Sequence, residues 1–110
     1  MIVSNHGGRQ LDGSVSPFDQ LAKIVDAVGD KIDVICEGGI QRGTHILKAL
    51  SVGAKACAGG RLYLYALASA GEKGVERALS LIREEIIRDM KLMGCTSVKQ
   101  LSRNNLFSKF

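Results

Sequence analysis

The sequence predicts an α/β fold built on a parallel sheet. Three observations carry that expectation: short apolar runs at positions 2–3, 32–36 and 56–58, helical apolar spacing in the segments between them, and a Gly-containing loop after each run. Strands this short and this apolar suit a sheet covered by helices, because a strand with one wet face alternates polar with apolar residues. Parallel neighbours also need long crossovers, which the helical segments supply.

Each element can be justified in chain order. Ile2 and Val3 read as the last residues of a strand, so the chain is expected to begin inside an element; Ser4 to Ser16 reads as a polar, Gly-rich loop with a turn at Asp12-Gly13. Ser16-Pro17 supplies an N-cap followed by proline at the first helical position, and Leu21, Ile24, Val25 and Val28 recur on one face until Gly29. Ile32 to Cys36 is the second strand, ending in Glu37-Gly38-Gly39. A second helix runs from Arg42 or Gly43 to about Val52, with Ile46, Leu47, Ala49 and Leu50 on its apolar face, His45 and Lys48 toward solvent, and Gly53 as the stop. Ala56 to Ala58 is the third strand, closed by Gly59-Gly60. Arg61 to Ala70 then predicts a short helix, and Gly74 to Met93 a long one with Val75, Leu79, Ile82, Ile86, Met90 and Met93 on one side. Ser97, with Gln100 three residues later, caps a last short helix carrying Val98 and Leu101, which leads to a frayed tail.

Composition narrows the class. The chain of 110 residues is 45% hydrophobic, with no internal repeat, which is the profile of one ordinary globular domain over positions 1–110. The formal net charge is +4, but basic residues are interspersed with acidic ones and aromatics make up only 5%, so nucleic acid is not an expected partner. No apolar stretch approaches the roughly 20 residues of a membrane span, and the N-terminal residues lack a secretory pattern, which makes the cytoplasm the expected location. Cys36, Cys57 and Cys95 are odd in number and contain no CxxC pair, which speaks against a disulfide framework or zinc site and for buried thiols.

Three loops concentrate chemistry. Ser4-Asn5-His6-Gly7-Gly8-Arg9-Gln10 sets a titratable base and a fixed cation three residues apart after a strand end. A neutral imidazole can take a proton near neutral pH, and a guanidinium can hold a carboxylate in a two-bonded fork. On composition alone the same residues also describe a solvated loop, the commoner outcome for a short motif. Glu37-Gly38-Gly39-Ile40-Gln41-Arg42-Gly43-Thr44 combines glycines with a following helix N-terminus, a natural phosphate host. Gly59-Gly60-Arg61 repeats the arrangement with a cation, although each Gly pair alone also fits a tight turn.

In order and at these spacings, the three loops resemble the FMN-dependent α-hydroxy-acid dehydrogenase family, which includes glycolate oxidase, lactate oxidase, mandelate dehydrogenase and flavocytochrome b2. Ser4 to Gln10 matches the family signature SNHGGRQ, Glu37 to Gly43 is similar to its DGGxRRG loop, and Gly60-Arg61 to the GR after its last barrel strand. Positions 87–94 and 101–103 are similar to its C-terminal helices. The resemblance implies that the chain is the C-terminal portion, about strands six to eight with their helices, of a TIM (β/α)₈ barrel, which in full needs about 250 residues. It implies FMN as cofactor and a small L-2-hydroxy acid, lactate-like or glycolate-like, oxidised to its 2-keto acid. His6 would be the base, Arg9 the holder of the substrate carboxylate, and Glu37, Gly38, Gly39, Gln41, Gly60 and Arg61 the FMN contacts. The family has Asp at the position of Glu37 and Arg at that of Gln41, and Arg42 is the candidate to restore the missing cation. The chain alone is expected to be inactive, with a second copy or a complementary barrel fragment as partner. The alternatives are a non-catalytic phosphate- or flavin-binding remnant and a half-barrel assembly module.

Overall fold

The computed structural model describes residues 1–107. Its three strands, β1 (Ile2–Val3), β2 (Ile35–Glu37) and β3 (Ala56–Ala58), form a parallel sheet in the order β1-β2-β3. Three helices accompany them: α1 (Pro17–Val28), α2 (Gly43–Val52) and α3 (Arg61–Leu92). Right-handed crossovers through a sheet of monotonic order put α1 and α2 on the same face. Val3, Cys36 and Cys57 stand in register on that side, and Val3, Leu21, Val34, Cys36, Ala49, Val52 and Ala54 form the core between helices and sheet. Full burial of a side chain such as Leu21 contributes about 1.5–3 kcal/mol.

The opposite face of the sheet carries the registered row Ile2, Ile35 and Ala56, and it is not covered: Ile2 is 60% exposed. The strands are therefore apolar on both sides but buried on one.

Local chemistry explains the element ends. The Ser16 hydroxyl accepts from the Asp19 N–H, with Pro17 at the first helical position of α1. The second strand begins at Ile35 and not at Ile32, because the N–H groups of Lys31 and Ile32 both bond to the Val28 carbonyl and close a turn behind α1. The two helices expected over 61–70 and 74–93 are the two helical segments of α3, separated by a kink at Ala70 and Gly71 (φ 59°, ψ −141°), the latter a conformation reserved for glycine. Ser97 and Gln100 form the expected capping box, although the element is only a single 3₁₀ turn, Val98–Gln100.

The segment expected to fray is pinned through residue 106. A second 3₁₀ turn, Arg103–Asn105, aims the Arg103 guanidinium at Asp26 (2.6 Å) and at the carbonyls of Ala22 and Val52. The remaining tail positions, 108–110, lie outside the described residues. Of the cysteines only Cys36 is fully buried; Cys57 and Cys95 are partly buried. Burial raises the Cys36 and Cys57 thiols, the latter to about 11, so these two stay protonated at neutral pH. No helix among the described residues is long and apolar enough to cross a membrane.

Candidate active site

The C-terminal ends of three adjacent parallel strands bring three loops to one edge of the sheet, where open α/β sheets and barrels hold ligands. A cavity of about 380 Å³ opens there, lined by His6, Gly7, Arg9, Glu37, Gly39, Ile40, Gln41, Gly60, Arg61, Leu62 and Leu64. Seven of the eight site residues named from the sequence line it. The eighth, Gly38, stands behind it with φ 124°, where a Cβ would lie 2.7 Å from the Pro17 ring. That contact and the positive φ exclude a side chain at position 38. A larger cavity of about 850 Å³, between α1, α2, the end of α3 and the tail, is lined by none of these residues.

His6 opens a 3₁₀ turn, His6–Gly8, and has φ 58°, the only positive φ of a non-glycine residue among those described. Such a backbone costs of order 1–3 kcal/mol and persists only where its surroundings fix it. Bonds from both neighbouring loops do so here. The Ser4 hydroxyl oxygen accepts from the His6 N–H (3.0 Å), and the same hydroxyl donates to the Glu37 carboxylate. From the other side, the Arg61 guanidinium donates to the Gly7 carbonyl (2.8 Å). The imidazole itself is exposed, and the Arg9 guanidinium forms no hydrogen bond or ion pair with the described residues.

Charge is distributed differently from the sequence expectation at two points. Arg42 does not supply a spare cation: its Nε and terminal nitrogen hold the Glu85 carboxylate at 2.8 and 2.7 Å. The first N–H of α2 is also taken, since Gly43 donates to Glu85 (2.7 Å), and in the loop before the helix Gln41 donates to the His45 ring (3.3 Å). His45 is half-buried against this loop instead of facing solvent, with Nδ1 also 3.0 Å from the Gly39 carbonyl. Lys48 is exposed as expected.

The start of α3 is the better phosphate host. No side chain caps Gly60, Arg61 follows directly, and the first N–H groups of a long helix attract anions. Gly39, across the cavity, has open space where a Cβ would point, and Gly60 has only the Glu37 carboxylate at 3.8 Å. These residues fit the phosphate end of FMN, with Arg61 supplying positive charge. Because a guanidinium has five N–H donors, the Gly7 contact leaves Arg61 others to offer.

Sequence reasoning missed Ile40, Leu62 and Leu64, which give the cavity an apolar side. Nothing in an isolated Ile or Leu marks a site; only the meeting of loops does.

Residues 1–108 match the FMN-dependent dehydrogenase family. The chain is 45% identical to an L-lactate oxidase from Nostoc sp., over 96% of its own length and 29% of the relative's. It is 47% identical to human 2-hydroxyacid oxidase 1, over 94% of this chain and 28% of that one. Among solved structures, a soluble mutant of the membrane-associated (S)-mandelate dehydrogenase from Pseudomonas putida superposes with a TM-score of 0.93 at 42% identity, covering 98% of this chain and 30% of the other. The chain thus spans about 30% of the length of the proteins it matches.

Proposed function

This chain belongs to the FMN-dependent dehydrogenase family, and from that premise we propose that it forms the base-and-phosphate side of a flavin site that oxidises a small L-2-hydroxy acid, lactate-like or glycolate-like, to the 2-keto acid. The supporting observation is the convergence of His6, Arg9, Glu37, Gly39, Gln41, Gly60 and Arg61, from three separate loops, on one cavity. In this reading the unit is about strands six to eight of a (β/α)₈ barrel, with the cavity at the C-terminal mouth.

Arg9, free of protein partners among the described residues, receives the substrate carboxylate in a planar fork, which orients the α-carbon. His6 takes a substrate proton as that carbon is oxidised. Arg61, Gly60 and Gly39 hold the phosphate, while Glu37 and Gln41 border the adjoining polar chain. When bound, FMN would supply the acceptor for the electron pair and for the second hydrogen that the substrate loses.

Alone, the chain holds too little of the site to turn over. Its inner sheet row is open to water, and a reaction that needs charge stabilised in a dry cavity loses that advantage.

The test is the visible spectrum of the purified chain mixed with FMN, followed by gel filtration. Flavin absorbance is expected to travel with the protein, and to do so equally for His6→Ala, because His6 serves the substrate and not the phosphate. In the full-length context His6→Ala is expected to lower turnover by about 10²–10⁴. Loss of flavin from Arg61→Ala but not from His6→Ala supports the division of roles; equal loss from both overturns it.

A further inference from the structure

We propose that Ser4 and Glu37 are positioning residues for His6, acting through its backbone. The inference rests on His6 being the base, and it gives Glu37 a task inside the protein that differs from contacting the cofactor. The geometry is a two-step relay: the Glu37 carboxylate at the end of β2 accepts from the Ser4 hydroxyl at the end of β1, and the Ser4 oxygen accepts the His6 N–H at 3.0 Å.

Two features make this relay more than a loop contact. It reaches the one non-glycine residue in the described chain whose backbone is left-handed, a region that a residue with a Cβ occupies only at an energetic cost. It also fixes the direction of the Ser4 hydroxyl: a carboxylate can only accept, so the proton of Ser4 points at Glu37 and its lone pairs face the His6 N–H. Hydrogen bonds to an ionised carboxylate are about twice as strong as neutral ones, so the relay is held from its charged end. The Arg61 bond to Gly7 grips the far side of the same turn, so the His6 backbone sits between anchors from β2 and from the start of α3.

The consequence is that removal of the Ser4 hydroxyl, which touches neither phosphate nor substrate in this reading, frees the His6 backbone to leave the left-handed region and swings the imidazole away from the cavity. Glu37→Gln keeps an acceptor of the same shape without the charge and therefore loosens the turn less.

The experiment is backbone NMR on the 110-residue chain, comparing wild type with Ser4→Ala, Ser4→Thr and Glu37→Gln. Three readouts are taken: the ¹³C shifts and amide coupling of His6, which report its φ; amide exchange at His6; and amide exchange at Leu47 and Leu50 in α2, which reports folding. Wild type is expected to show a left-handed His6. Ser4→Ala should raise His6 exchange by about tenfold, the equivalent of one net hydrogen bond, and shift its carbon resonances, with the α2 amides unchanged. Glu37→Gln should raise exchange by roughly threefold, and Ser4→Thr should restore wild-type behaviour. The same set in an Arg61→Ala background removes the second grip, so that it cannot mask the first. A wild-type His6 without left-handed signals, or His6 signals identical in all variants and both backgrounds, overturns the proposal. No readout involves flavin, so failure of the relay and failure of the flavin-site reading are separately visible.

Discussion

A single carboxylate at position 85 ties α2 to α3. Glu85 accepts from Arg42 at 2.8 Å and from the Gly43 N–H at 2.7 Å, and these bonds hold its carboxyl below the ordinary value of 4.5. A group whose pKa is lower in the folded than in the unfolded chain stabilises the fold above its unfolded value, and that contribution disappears as pH falls through the folded value. The melting temperature of Glu85→Gln is therefore expected to lie below that of wild type at pH 7, with the gap narrowing as the pH drops below 4.5. A gap that is constant from pH 7 to pH 3, measured by circular dichroism, refutes this assignment. At this scale the sequence made His6 and Arg9 legible, because an imidazole and a guanidinium three residues apart carry obvious chemistry. The fate of Arg42 was not legible: its partner is 43 positions away, and only helix packing makes them neighbours.

At the scale of elements, the start of α2 lies so close to α3 that a Cβ at Gly43 would stand 2.7 Å from the Glu85 Cβ and 2.8 Å from the Ile86 nitrogen. Backbone atoms cannot retreat as a flexible side chain can, so Gly43→Ala is expected to cost about 1–3 kcal/mol by overpacking, a melting-point loss of roughly 4–8 °C per kcal/mol for a domain near this size. Thermal unfolding checks it, and an unchanged midpoint would mean the helices can separate freely. The element order was readable because apolar spacing and stop residues are local: Ser16-Pro17 and Gly53 fixed helix boundaries that the structure reproduces. The break expected between the helices over 61–70 and 74–93 stands at Ala70 and Gly71; missed was the turn that takes Ile32 out of β2.

For the whole molecule, the open sheet dominates behaviour. Ile2, Ile35 and Ala56 form an apolar row on the face away from the helices, and β1 and β3 are edge strands of a sheet with unpaired backbone groups. Such edges pair with other strands unless something covers them. The purified chain is expected to self-associate, with an apparent mass that rises with concentration in sedimentation velocity, and Ile2→Lys is expected to shift it toward monomer. A concentration-independent monomer would mean the exposed row is tolerated in water.

The sequence by itself determined the α/β class, the strand and helix order and the three loops that carry chemistry, because each depends on residues close together along the chain. Only the tertiary structure decided which charges remain free, which N–H groups can meet an anion, and that His6 is held left-handed from β2 and from the start of α3. Those outcomes depend on contacts between residues tens of positions apart, Arg42 with Glu85, Ser4 with Glu37 and Gly7 with Arg61, whose distances no local pattern encodes.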